Sequence, residues 1–138
     1  MIEHHFPVTV YYKDVDQMGI VYYTRYLEYF EMARTECLRS IGLSVTDLEG
    51  KGLYLPVSEC SLRYHRGARF EDRLDVCSQI ATVPRARLTI DYTVTDGAGQ
   101  TLVTGRTIHA IVNKKGKPIR APKILLDAIE THLTGEQI

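Results

Sequence analysis

Asp14 and Asp16 flank Val15 in the stretch YYKDVDQMGIVYYTRYLEYFEMAR, residues 11 to 34, and Met18-Gly19 follows them. A carboxylate in a turn can act on a reactive carbonyl as a nucleophile or as a general base for water. An aspartate has a reference pKa of ~3.9 and is ionised at neutral pH without special tuning. A helical pattern begins at Tyr22, and a helix start presents unpaired N–H groups and the positive end of the dipole. Asp16 therefore falls about one turn ahead of a helix N-terminus. A carboxylate beside an oxyanion-binding helix end is the minimum equipment for hydrolysing an activated acyl group. Asp16 is the candidate reacting group, and Asp14 the residue that orients the turn. Val21, Tyr22 and Tyr23 are the candidate N–H donors, each worth ~3 kcal/mol of barrier stabilisation if it meets the developing charge. The same residues also fit a plain Asx turn and a helix start satisfied by water or by Asp16 itself.

The elements that must hold these groups are legible in the periodicity. Phe6, Val8, Val10 and Tyr12 alternate over residues 5 to 13, which predicts a strand. Tyr22, Tyr26, Tyr29, Phe30, Ala33, Cys37, Leu38 and Ile41 recur at steps of three and four, which predicts a helix from 22 to 41, stopped by Gly42. Ser44 caps a short turn to Glu49. From Leu53 the period changes to two. Strands are predicted over 53 to 66, 71 to 83, 85 to 95 and 101 to 113, with a hairpin turn at Asp96-Gly97-Ala98-Gly99 and a last helix from Pro122. One long helix, one strand before it and four after it make an α+β pattern in which an antiparallel sheet wraps the helix. A ferredoxin-like fold would need a second long helix between strands, and residues 45 to 120 have no room for one.

A chain of 138 residues with 44% apolar residues reads as a single domain, 1 to 138, with a real core. The formal net charge is +0, so no global field draws it to nucleic acid. No run of about 18 apolar residues predicts a membrane span, and MIEHHFPV does not read as a secretory signal. Cys37, Cys60 and Cys77 are odd in number and widely spaced, which predicts reduced thiols and a cytoplasmic location. No His, Cys and Asp cluster has metal-ligand spacing along the chain, so no metal is expected. His65 and His109 stand alone on predicted strands and read as satisfied histidines. Cys60 has no base in view, and Glu59 is a weak candidate for a pocket residue.

Tyr12, Asp14, Asp16, Gly19, Val21 and Tyr26, followed by Tyr29, Phe30, Glu31, Ala33 and Arg34, closely resemble the signature of the hotdog-fold acyl-CoA thioesterases of the 4-hydroxybenzoyl-CoA thioesterase type. The stretch looks nearest to the Tol-Pal-associated branch, and the resemblance extends more loosely over residues 5 to 123. It implies a hotdog fold and hydrolysis of an acyl-CoA or acyl-carrier-protein thioester. Coenzyme A then enters as part of the substrate, with no separate cofactor. It implies Asp16 as the catalytic carboxylate and Tyr23 beside it, with a backbone N–H near Tyr23 polarising the carbonyl. Gly19, Val21, Tyr22 and Tyr26 would contact the substrate. Arg85 and Arg87, at a strand start, and Lys115 and Arg120, after the last strand, would meet the nucleotide phosphates, which guanidinium groups suit bidentately. It also implies a homo-oligomer, a dimer or a tetramer, which would cover the open sheet edge.

Three positions depart from the branch. Tyr23 stands where relatives often carry His, and a phenol titrating near ~10 is no base at neutral pH. Arg25 replaces a small or amide residue. Gly67 replaces a Pro near Tyr64, Ala68 and Asp72, which reads as structural. The competing functions are a hotdog dehydratase or hydratase, which needs a His near the carboxylate, and an acyl-CoA-binding or assembly protein without turnover.

Overall fold

The computed structural model describes residues 1–135. Strand β1 is Ile2–Thr9, α1 is Arg25–Ser40, α2 is Val45–Gly50, β2 is Val57–Tyr64, β3 is Arg73–Ile80, β4 is Arg87–Thr95, β5 is Thr101–Ala110 and α3 is Lys123–Gly135. A single 3-10 turn, Tyr12–Asp14, leads out of β1. The five strands form one antiparallel sheet in the order β1-β3-β4-β5-β2. β3, β4 and β5 form a meander. β2 crosses to the far edge and pairs with β5.

Period two is obeyed most cleanly in β4, where Leu88, Ile90, Tyr92 and Val94 are buried and the residues between them face outward. The buried side of α1 is Tyr26, Tyr29, Phe30, Ala33, Cys37 and Leu38, the predicted stripe. The helix lies across the sheet on β1 and β3. Phe30 stacks on Tyr92 with centroids 4.1 Å apart and planes within 3°. Gly105 makes this possible, since a Cβ there would come within 2.5 Å of the Phe30 ring. Burial of each such side chain contributes ~1.5–3 kcal/mol. This is the expected α+β hotdog arrangement of a sheet around one helix.

The element bounds differ in ways that matter for the site. β1 ends at Thr9, and Tyr12 belongs to the 3-10 turn with its ring exposed. α1 starts at Arg25 instead of Tyr22 and is ~24 Å long instead of ~30 Å. Ser44 does cap α2, accepting the Asp47 N–H at 3.2 Å. Arg85 lies in the loop before β4.

Candidate active site

Asp14 is the foundation of the loop. Its side chain is only 2% exposed. One oxygen accepts the Tyr11 N–H at 2.9 Å, the other the Lys13 ammonium at 2.9 Å, and Arg25 Nε stands 4.0 Å away. Burial alone would raise its pKa, yet Lys13 and the Tyr11 N–H hold the carboxyl below the usual carboxylate range. Its backbone carbonyl accepts the Tyr22 N–H at 2.8 Å. The residue therefore builds the loop from inside, as expected of an orienting group. Arg25 is bound to Glu28 at 2.9 Å and to the Lys13 carbonyl at 3.3 Å, which completes the same scaffold.

Asp16 sits two residues on, half-buried. Oδ1 accepts the Met18 N–H at 2.8 Å and, more weakly, the Ile20 N–H at 3.4 Å. The Asp16 N–H donates to the Ile20 carbonyl, and the Gly19 N–H returns to the Asp16 carbonyl. Gly19 holds φ +78°, which closes the turn and which a side chain would strain. The Asx turn and the reactive carboxylate are thus compatible readings of one residue. Oδ1 is fixed by the loop, while Oδ2 has no hydrogen bond among the described residues.

The expected N–H donors divide. The Val21 N–H is taken by the Ala68 carbonyl at 2.8 Å and the Tyr22 N–H by Asp14. Neither can polarise a substrate carbonyl, which corrects the expectation drawn from a helix starting at Tyr22. The Tyr23 and Thr24 N–H groups donate to no acceptor among the described residues, and Thr24 precedes α1 without a side-chain cap. Tyr23 is exposed. Its carbonyl accepts the Tyr64 hydroxyl at 3.0 Å, and its ring lies 4.7 Å from Tyr22. Contact with the Tyr23 hydroxyl, chiefly, and the Asp16 charge push the Tyr22 phenol above its ordinary value. Tyr26 departs from its expected place in the substrate site. It is a core residue within the protomer, edge-on to Tyr29 and Tyr64, and its buried hydroxyl has no hydrogen-bond partner among the described residues.

Three residues reach the loop by contacts that sequence reasoning does not show, although Tyr64 and Gly67 lie in the stretch it reads as structural. Arg69 forms an isolated bridge with Ile20, and its guanidinium lies 3.9 Å from where a Gly19 side chain would begin. It makes no ion pair among the described residues, so it is a cation next to the Gly19 turn of the loop. Gly67 faces Ile20, and a Cβ there would meet Ile20 Cγ2 at 2.9 Å. Tyr64 ties the end of β2 to Tyr23. No local signal marks contacts across 40 to 50 residues.

The basic residues lie elsewhere. Arg87 opens β4 opposite Ala110, with Glu59 4.0 Å away. Arg85 holds the Ala121 N–H through its backbone carbonyl. Lys115 and Arg120 are exposed around the turn after β5, where Asn113 accepts the Lys115 and Lys117 N–H groups. That end of the sheet is opposite the one where Tyr64, Ala68 and Arg69 meet the Asp16 loop. Within one protomer the structure does not bring the two groups together.

The far end also holds a cavity of about 480 Å³, bounded by Arg34 and Leu38 of α1, Leu48, Leu55, Leu88 and His109. His109 is buried and satisfied, as expected. Its Nδ1–H donates to the Leu55 carbonyl at 2.9 Å. Nε2 accepts from Thr107, which in turn lies 2.7 Å from the Tyr92 hydroxyl. Burial holds its pKa below the usual histidine value. His65 is bound to Thr104 at 3.2 Å.

Comparison with known proteins gives the family and the fold. The family model of the thioesterase-like superfamily matches residues 10–129. An acyl-CoA thioesterase of Haemophilus influenzae, YbgC, is 33% identical over 119 residues, spanning 86% of this chain and 88% of its own. Two solved structures share the fold alone. The 1,4-dihydroxy-2-naphthoyl-CoA thioesterase of Synechocystis has a TM-score of 0.84 at 24% identity, covering 99% of this chain and 98% of its own. A 4-hydroxybenzoyl-CoA thioesterase variant complexed with 4-hydroxybenzoyl-CoA has a TM-score of 0.84 at 17% identity, covering 93% and 99%.

Proposed function

We propose that this chain, which belongs to the thioesterase-like superfamily, hydrolyses acyl-CoA thioesters to the free acid and coenzyme A. The observation that carries the reading is the pairing of two unengaged groups on one loop, Asp16 Oδ2 and the Tyr23 N–H. The thioester oxygen sits on the Tyr23 N–H. The Asp16 carboxylate either attacks the carbonyl carbon, giving an acyl anhydride that water then hydrolyses to the free acid, or removes a proton from a water that attacks directly. In both routes the carbon–sulfur bond breaks, and the coenzyme A thiolate leaves and takes up a proton. Arg69 adds positive charge next to the turn. His65 and His109 are both occupied by other partners, which disfavours the hydratase reading.

The functional unit is a two-fold dimer joined through β2. This strand is an open edge, exposed at every residue but Leu62. An unpaired edge of that length is a site for pairing with another chain. Antiparallel pairing centred on Cys60 and Ser61 sets Tyr64 of one protomer opposite Val57 of the other. The Asp16 loop, tied to Tyr64, then approaches the cavity and the Arg87 end of the second protomer. The acyl part enters the cavity, whose volume lies in the range of small-molecule sites. Arg85, Arg87, Lys115 and Arg120 meet the nucleotide phosphates. A cytoplasmic location fits the three free cysteines.

The test is a panel of aromatic, short branched and medium-chain acyl-CoAs and acyl-carrier-protein thioesters with a thiol reagent. Steady thiol release from at least one of them is expected. Saturable binding without release would make the chain a binding protein, and addition or loss of water would make it a hydratase or dehydratase. Light scattering should give at least twice the protomer mass of 15.7 kDa. A monodisperse species of protomer mass with full activity would contradict the shared site.

A further inference from the structure

We infer that Glu3, His5 and Cys77 form a binding site for one divalent transition-metal ion, Zn²⁺ by its donor set, on the face of the sheet away from α1. His5 and Cys77 are register partners in the β1–β3 pair, and Glu3 stands one place along the same face. Their donor atoms lie within 4.8 Å of one another. A tetrahedral Zn²⁺ with bonds of ~2.3 Å to sulfur and ~2.0–2.1 Å to nitrogen sets those two ligands about 3.6 Å apart. His5 Nε2 and Cys77 Sγ are 3.9 Å apart. A swing of the flexible Glu3 side chain closes the remaining gap, and water takes the fourth position.

The groups behind these ligands argue most strongly for a built site. The Asp75 carboxylate accepts the His5 Nδ1–H at 2.7 Å, which fixes the tautomer and turns the Nε2 lone pair toward Cys77. The Gln79 amide donates to one Glu3 oxygen at 2.8 Å and leaves the other for a ligand. Metal-bound histidines are held in this way by a carboxylate, and ligating carboxylates are themselves hydrogen-bonded. The Cys77 thiol proton leaves to solvent as the sulfur–metal bond forms. No oxidant or reductant is required. The bound ion clamps edge strand β1 onto β3 and favours the folded state.

Co²⁺ titrated into the full-length, metal-stripped protein is the probe, because a cobalt–thiolate bond gives a charge-transfer absorption that nitrogen and oxygen ligands do not. One Co²⁺ per chain, displaced by Zn²⁺, is expected, with a rise in Tm on adding Zn²⁺. Cys77→Ser should abolish the band, while Cys60→Ser should leave it unchanged. His5→Ala and Glu3→Gln should weaken binding at least ~10-fold, and Asp75→Asn ~10-fold to 100-fold. Absence of the band in the unaltered protein, its persistence in Cys77→Ser or its loss in Cys60→Ser would each overturn the assignment. Thioester turnover should be the same in Cys77→Ser, His5→Ala, Glu3→Gln and Asp75→Asn without added metal.

Discussion

The Tyr64 hydroxyl donates to the Tyr23 backbone carbonyl at 3.0 Å, and so fastens the last residue of edge strand β2 to the loop that carries Asp16. The Tyr23 peptide carries its carbonyl bound and its N–H unengaged. An edge that pairs two protomers would thereby also fix the oxyanion donor. Tyr64→Phe removes only this bond. A hydrogen bond of about 1 kcal/mol corresponds to roughly a fivefold fall in kcat, with Tm changed little because the hydroxyl is near the surface. Steady-state kinetics beside thermal melts check this, and an unchanged kcat would separate Tyr64 from the site.

Gly67→Ala tests the support of the loop from the other side. The added methyl would press on Ile20 at 2.9 Å, and the Ile20 backbone closes the Asp16 turn. The turn must move, and misplacement of a reacting group by an ångström costs up to ~100-fold in rate. A fall in kcat greater than the fall in stability is expected. Combining the change with Ile20→Ala, which removes the Cγ2 that the new methyl meets, should recover part of the loss, and kinetics on the single and double variants would show it.

These contacts mark where sequence reading stops. The stripe of α1 and the alternation of β4 were legible because each is a local periodicity that packing then obeys. The start of α1 was misplaced because Tyr22 continues the apolar spacing, whereas its N–H and that of Val21 answer to Asp14 and Ala68. The motif singled out Asp16 as the candidate carboxylate. The contacts of Arg69, Tyr64 and Gly67 with the loop were not legible, since only the fold makes them; Tyr64 and Gly67 read only as part of a structural stretch. The Glu3, His5 and Cys77 group joins residues more than 70 apart and so has no spacing to detect.

Stability should depend on pH through His109. Its folded pKa is lowered, chiefly by burial and also by the nearby Arg34, against 6.5 in the unfolded chain. The unfolded state therefore binds a proton first as pH falls. The contribution is present above about pH 6.5 and is lost between there and the folded pKa. Denaturant melts from pH 8 down to about pH 5 should show this decline, and His109→Gln should flatten it. An identical slope in that variant would assign the decline to other groups.

Arg85→Ala and Arg87→Ala should each raise KM for coenzyme A thioesters roughly threefold to tenfold with little change in kcat, because contacts remote from the carbonyl contribute uniform binding. Added salt should reproduce the effect, since exposed charges are screened. Wild-type KM in both variants at low salt would place the nucleotide elsewhere.

Thiol release by the unaltered protein and by Asp16→Asn, measured on the same active acyl-CoA, bears most directly on the function. The amide keeps the Oδ1 acceptor for the Met18 N–H and so keeps the turn, but it offers neither nucleophile nor base. The predicted result is a fall in kcat of at least ~100-fold with an unchanged circular dichroism spectrum and Tm. Near-normal kcat in Asp16→Asn would contradict the account.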